Sequence, residues 1–238
     1  MSLPVTSPAK GSAGSIPRRL PRRSSNISTT GRGWRVTHDR IIMDDWRTFL
    51  ERYSEELLAT SNLCLKVPED VRETGWMGHD PAAEAAIVEA ERRLGRVLPA
   101  SLRSFYAVTN GWRQTGYFIF DILPVEDLGW LSEREPYLYE LASGCEQMPG
   151  PWPNDPGDVR LHQYREEQGS RVKRSLVISS DGDAATWLLD PGPDPHPGEW
   201  PGGRWAGWNP AMEWSAESFA DLMQQEFDCL LQLRDKNS

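Results

Sequence analysis

The stretch Ile87–Gly111, IVEAERRLGRVLPASLRSFYAVTNG, decides the fold. Its first half repeats apolar residues at Ile87, Ala90 and Leu94, the spacing of one helical face, and leaves Glu91, Arg92 and Arg93 on the wet side. Asp80-Pro81, just upstream, reads as the helix start. Asp accepts from the free amides of a first turn, and Pro has no amide to satisfy at the first position. Gly95 supplies a left-handed stop. Leu98-Pro99 then restarts a helix in which Leu102, Phe105 and Tyr106 share a face. Asn110-Gly111 ends it, because both residues tolerate positive φ. A linker this short forces the two helices into a packed corner. Arg92, Arg93 and Arg96 are read as its solvated face.

Upstream, residues 45–59 predict a first helix. Trp46, Phe49, Leu50, Tyr53, Leu57 and Leu58 fall on one face, with Asp44 or Asp45 as its cap. Residues 60–80 read as irregular, with turns at VPED and TGWMGHDP; Trp76 is expected to pack over the next helix start and His79 to be a polar surface residue. Downstream, GYFIFDI (116–122) is rich in aromatic and β-branched residues and predicts a strand. Residues 124–128 predict the start of a short helix that runs to Leu131, 135–143 another helical turn, and 144–158, with four Pro and three Gly, a long loop. Residues 176–179 and 185–189 flank Ser180-Asp181-Gly182-Asp183 and predict a hairpin with at least one buried face. A second Pro-rich loop, 190–203, precedes a short strand at 204–208. A closing helix is expected from Ser215, with Ser215 as its cap and Phe219, Leu222, Met223, Phe227 and Leu230 as its stripe. Helices first, hairpins in the middle and a helix last make an α+β fold: a mixed or antiparallel sheet covered by helices.

Charge divides the chain. The first forty residues hold eight basic side chains and one acid, so the overall −9 splits into about +7 for this arm and about −16 for the rest. The arm is also rich in Ser, Pro and Gly and poor in apolar residues, which predicts a disordered segment over 1–42 and a folded domain over 43–238. Met43, immediately before the first helix, is an alternative start of the natural protein, which would leave 1–42 untranslated; nucleic-acid binding is an alternative for the arm alone. Three cysteines, Cys64, Cys145 and Cys229, share no close spacing and suggest neither a disulfide framework nor a zinc site. The expectation is a reducing, cytoplasmic setting without a membrane segment.

Motifs for chemistry are missing. The chain has no GxGxxG, Walker loop, HExxH or GxSxG, and its four His (His38, His79, His162, His196) are scattered. Asp181-Gly182-Asp183 lacks the further oxygen ligands of a calcium loop and reads as a turn with solvated acids. No catalytic residue, cofactor or metal is therefore expected. What stands out is eleven Trp, four of them (Trp200, Trp205, Trp208, Trp214) within fifteen residues. Trp187 and Trp214 are read as core. Trp152 and Trp200 lie in Pro/Gly loops, where a Trp can serve as an interface anchor or as a platform for sugars. The candidate partner-binding residues are Trp152, Asp155, Asp181, Asp183, Trp200 and Trp205.

The opening stretch resembles the SUKH superfamily, in the branch typified by the fungal Smi/Knr cell-wall-assembly regulators and their bacterial relatives. The matching pattern is Ile87, Glu91, Leu94-Gly95, Leu98-Pro99, Phe105 or Tyr106, and Asn110-Gly111. Leu189-Asp190 after the Asp-Gly turn, and Ser218-Phe219 at the last helix, add to it. The likeness runs over roughly 44–233. The Pro-rich loops depart from it, as does Ala184-Ala185, where a Gly is often seen. The resemblance implies a single non-catalytic α+β domain. For bacterial members it implies an immunity protein that binds a toxin, often a nuclease, and for fungal members a cell-wall or signalling scaffold. A body of about −16 suits a basic protein partner rather than nucleic acid. The rival from another class is a metal-dependent hydrolase, which the missing His and carboxylate cluster disfavours.

Overall fold

The corner at Ile87–Gly111 forms much as its pattern requires. In the computed structural model, α1 (Trp46–Leu58), α2 (Glu69–Thr74), α3 (Glu84–Leu94) and α4 (Ala100–Tyr106) come first. The structure describes residues 46–60, 67–117, 119, 121–147, 167–180, 185–193, 198–206 and 209–236, all within the unit Asp39–Ser238. The proposed arm, 1–42, lies outside the described residues. Ile87, Ala90 and Leu94 are buried, Gly95 takes φ 65° and closes α3, and Leu102, Phe105 and Tyr106 are buried on α4.

Four details of the corner differ from what the pattern predicts. Helix α3 starts after Ala83, not at Asp80-Pro81, because residues 80–82 run beside the end of α4 instead: Asn110 N–H donates to the Asp80 carbonyl (2.8 Å) and Ala82 N–H to that of Tyr106 (2.9 Å). Glu91 does not sit on a wet face. Its Oε1 accepts from the Leu98 amide (3.1 Å) and Arg103 Nε (3.2 Å), which ties the interhelical turn to both helices. Arg93 is not merely solvated either; it donates to the carbonyls of Leu128 (2.7 Å) and Glu126 (3.1 Å). Asn110 stands before Gly111 for its side chain rather than its φ. Its Oδ1 accepts from Val125 N–H (2.8 Å) at the start of a 3-10 turn, Val125–Asp127, and its Nδ2 donates to Glu126 (2.9 Å). Of the pair Asn110-Gly111, Gly111 alone takes positive φ, 99°.

Because Glu91 caps a backbone amide that its loss would leave unpaired, Glu91→Ala is expected to lower stability by about 1–3 kcal/mol. The urea midpoint should fall with an unchanged m value.

After the 3-10 turn come β1 (Gly129–Trp130), α5 (Leu131–Arg134), α6 (Pro136–Gln147), a helical stretch over 167–173 taken as α7, then β2 (Leu176–Val177), β3 (Ala185–Leu189), β4 (Gly202–Ala206), β5 (Asn209–Ala216) and α8 (Phe219–Lys236). The strands form one antiparallel sheet in the order β1-β2-β3-β4-β5. The expected hairpin is β2–β3, with Leu176 opposite Leu189 and Val177 opposite Leu188. All five residues of β3 are buried, so the sheet is covered on both faces there. Helix α8 packs on β4 and β5 and against α1 and α4, while α5 lies on β1 and β2.

The remaining differences are local. Residues 69–74 are helical where turns were expected, with Pro68 before the helix and Gly75 in the left-handed conformation after it. GYFIFDI makes no extended strand among the described residues; Ile122 alone bridges Trp112 and Ser179. Residues 136–147 form three helical turns, more than 135–143 suggested. The strand expected at 204–208 is β4, and β5 was not foreseen. It consumes Ser215, so the cap of the last helix is Ser218, whose Oγ accepts from Asp221 N–H at 3.0 Å.

Candidate partner-binding face

Three segments converge on Arg113. Isolated antiparallel bridges join Gly78 to Trp112, Trp112 to Ile122 and Ile122 to Ser179. This extends the hydrogen-bonded surface beyond β2 and brings residues 79–80, 113–114, 121 and 180 together. The Arg113 guanidinium donates to the carbonyls of Gly78 and Met77 and, through Nη2, to Asp70 on α2 (2.9 Å). Gln114 takes φ 37°, a strained value for a residue with a Cβ. Its N–H donates to Asp121 Oδ1 (2.9 Å), and Asp121 is held in turn by Ser180: Ser180 N–H donates to its carbonyl (2.8 Å) and its own N–H donates to Ser180 Oγ (3.0 Å).

Around this junction the exposed charges are mainly acidic. Glu69, Asp70, Glu73, Asp80 and Asp121 are exposed, against Arg72 and the half-buried Arg113. Glu69, Glu73 and Asp80 make no side-chain hydrogen bond or ion pair among the described residues. His79 adds no compensating charge at neutral pH. Burial and then the Arg113 guanidinium hold its pKa below the ordinary value, with Asp121, Asp70 and Asp80 offsetting only part of this. Trp76 borders the patch half-buried, its edge on Trp112 (5.4 Å between rings) and the Arg47 guanidinium 4.1 Å over its face. Among the described residues no group of three or more His, Cys, Asp or Glu side chains is placed to share a metal ion, and no helix is long and apolar enough to cross a membrane.

A family model described as SMI1 / KNR4 family (SUKH-1) matches residues 81–225, more than half of the chain. The chain belongs to that family. The SUKH-1 span begins at the segment that runs beside α4 and ends within α8, so it contains the Ile87–Gly111 corner and the whole sheet. Helices α1 and α2 precede it, and Asp70 with them. A comparison with curated proteins finds no match.

The structure redistributes the expected site residues. Trp200 and Trp205 are 2% and 3% exposed, so the expectation that they present their rings to a partner does not hold. Trp200 is buried because its loop is pinned to the corner. Glu199 accepts from Ser101 N–H (2.9 Å) and Ser101 Oγ (2.5 Å), and the indole stacks on Trp130 at 6.5 Å. Trp205 is turned inward on β4 opposite Thr186. Trp152, Asp155, Asp181 and Asp183 lie outside the described residues. Trp187 is buried as expected, whereas Trp214 is half-buried, with its N–H on Gln168 (2.7 Å) and Arg171 over its ring. Asp70, Asp80, Arg113 and Asp121 were missed because they lie far apart in sequence and only the bridges and the Arg113–Asp70 pair gather them.

Proposed function

We propose that this SUKH-1 protein is a non-catalytic binding module of immunity type that neutralises a basic protein toxin, with nucleases the toxin class its charge fits best. The observation that carries the reading is the set Glu69, Glu73 and Asp80, exposed carboxylates that serve no pairing role among the described residues. Carboxylates left unpaired on a rigid surface raise the local negative potential, which speeds encounter with a basic partner and disfavours acidic ones. Asp181 and Asp183, which follow Ser180 in the chain, add to the acidic charge the proposal invokes.

The test uses any toxin whose gene is found to adjoin this one. Purified wild-type protein should capture it, and the triple variant Glu69→Lys/Glu73→Lys/Asp80→Lys should associate at least about tenfold more slowly at low ionic strength. The gap should narrow as salt is raised. Because none of the three side chains holds structure, the thermal transition should stay in place. Full protection of toxin-expressing cells by the triple variant would show that this face is not the one used.

A further inference from the structure

Glu226 on α8 is only 8% exposed, yet it makes no hydrogen bond or ion pair among the described residues. Its carboxyl lies against Gly116. A Cβ added at Gly116 would collide with Oε1 and sit 3.2 Å from the carboxyl carbon, so the Glu226 side chain would have to shift to admit one. Several donors of that turn are committed elsewhere. Gly116 N–H donates to the Ile119 carbonyl (3.2 Å), Thr115 Oγ1 to the same carbonyl (2.9 Å), and the Tyr53 hydroxyl from α1 to the Thr115 carbonyl (2.7 Å). Even the Gln114 side-chain amide is taken, by the Gly116 carbonyl (3.2 Å). The Glu226 carboxyl thus meets this turn without a hydrogen bond to it among the described residues.

We infer that Glu226 and Gly116 form a proton-dependent latch: with the carboxyl neutral, the turn of residues 113–117 closes on α8, and ionisation of the carboxyl pushes the turn away. The turn is the side that yields. Glu226 is anchored by its buried neighbour Phe227, whose ring packs on Phe49 and Tyr53, whereas Gln114 already holds a strained φ. The titratable groups facing Glu226 from neighbouring elements are Tyr53 on α1 and Arg204 on β4. Burial favours the neutral carboxyl and outweighs the Arg204 charge, so the pKa is raised. A raised folded pKa means that closure is complete at low pH and is lost as pH rises through that value. Arg113 and Gln114 lie on this turn and Asp121 accepts from the Gln114 N–H, so the latch would set how firmly the acidic face is held.

Amide hydrogen exchange by NMR tests this without any partner. Protection of the Gly116 and Gln114 amides, corrected for the intrinsic pH dependence of exchange, should fall about tenfold or more between about pH 5 and 8 in the wild-type protein. It should stay flat in Glu226→Gln, which keeps shape without charge. Gly116→Ala should show low protection at these amides already at pH 5, while amides of β3 keep their wild-type values. The same fall in Glu226→Gln would assign the titration to His79 or another neighbour and overturn the latch. So would a flat wild-type profile, or wild-type protection in Gly116→Ala.

Discussion

Replacing Asp190 by Ala is expected to lower the unfolding free energy by about 3–5 kcal/mol, the range for removing one partner of a buried ion pair. Asp190 closes β3 and is 4% exposed. It accepts from Arg174 Nε (2.6 Å) and Nη2 (2.8 Å), from Arg171 Nε (2.8 Å) and from Gly192 N–H (2.9 Å). Its own N–H donates to the Pro201 carbonyl (2.8 Å), so one residue joins α7, the end of β3 and the loop before β4. Truncation would leave two guanidiniums without their shared carboxylate, and Arg171 would also lose its anchor over Trp214 (4.2 Å).

The pH dependence of that prediction has a definite sign. Burial alone would raise the Asp190 pKa, but the Arg174 and Arg171 hydrogen bonds and the Gly192 amide outweigh it and hold the carboxyl below its ordinary value. A depressed folded pKa contributes stability above the unfolded value of about 3.9, and that contribution disappears as pH falls through the folded pKa. The stability gap between wild type and Asp190→Asn should therefore be full near neutrality and close below about pH 4. Chemical denaturation of both proteins at several pH values measures it. A gap that stays constant down to pH 3, about one unit below the unfolded value, would show that the carboxylate charge is not what holds these elements.

Elements whose burial is periodic were legible in sequence, and elements held by long-range polar contacts were not. Helices α1, α3 and α4 and the apolar stripe of α8 announce themselves because a 3.6-residue spacing of large apolar side chains has few other uses. The pairing of β2 with β3 announces itself through the Asp181-Gly182 pair in the sequence between them. By contrast, Glu91 looks like any solvated helix acid, and only the fold reveals that the Leu98 amide waits for it. Trp200 sits among Pro and Gly, which suggests an exposed loop, but Glu199 draws that loop onto Ser101, 98 residues earlier in the chain. The acidic face fails to show for the same reason: Asp70 and Arg113 are 43 residues apart, and Asp121 and Ser180 are 59 apart. Net charge is a sum over the chain and carries no information on where the acidic side chains gather.

Trp46→Ala is expected to cost about 3–5 kcal/mol, the range for emptying a large buried aromatic site. Trp46 opens α1, ahead of the span that matches the SUKH-1 family, and is 1% exposed. Its ring lies 5.4 Å from Phe105 of α4, 5.6 Å from Phe219 of α8 and 5.9 Å from Phe49, and its N–H donates to Ser104 Oγ at 3.0 Å. It thus plugs the junction of the family's corner with the first and last helices. Trp46→Phe keeps part of the ring contact and should lose clearly less, which separates the cavity from the hydrogen bond. Since a domain's whole stability is about 5–15 kcal/mol, the Ala variant should unfold at a much lower temperature. The stronger form of the same expectation concerns the boundary. A chain cut to residues 81–225 removes Trp46, Leu50, Tyr53 and Leu57, all buried, along with the end of α8, and should give no cooperative transition. A chain of residues 43–238 is the control and should keep one. If the 81–225 fragment melts cooperatively near the temperature of that control, α1 is an accessory to the SUKH-1 core rather than part of it.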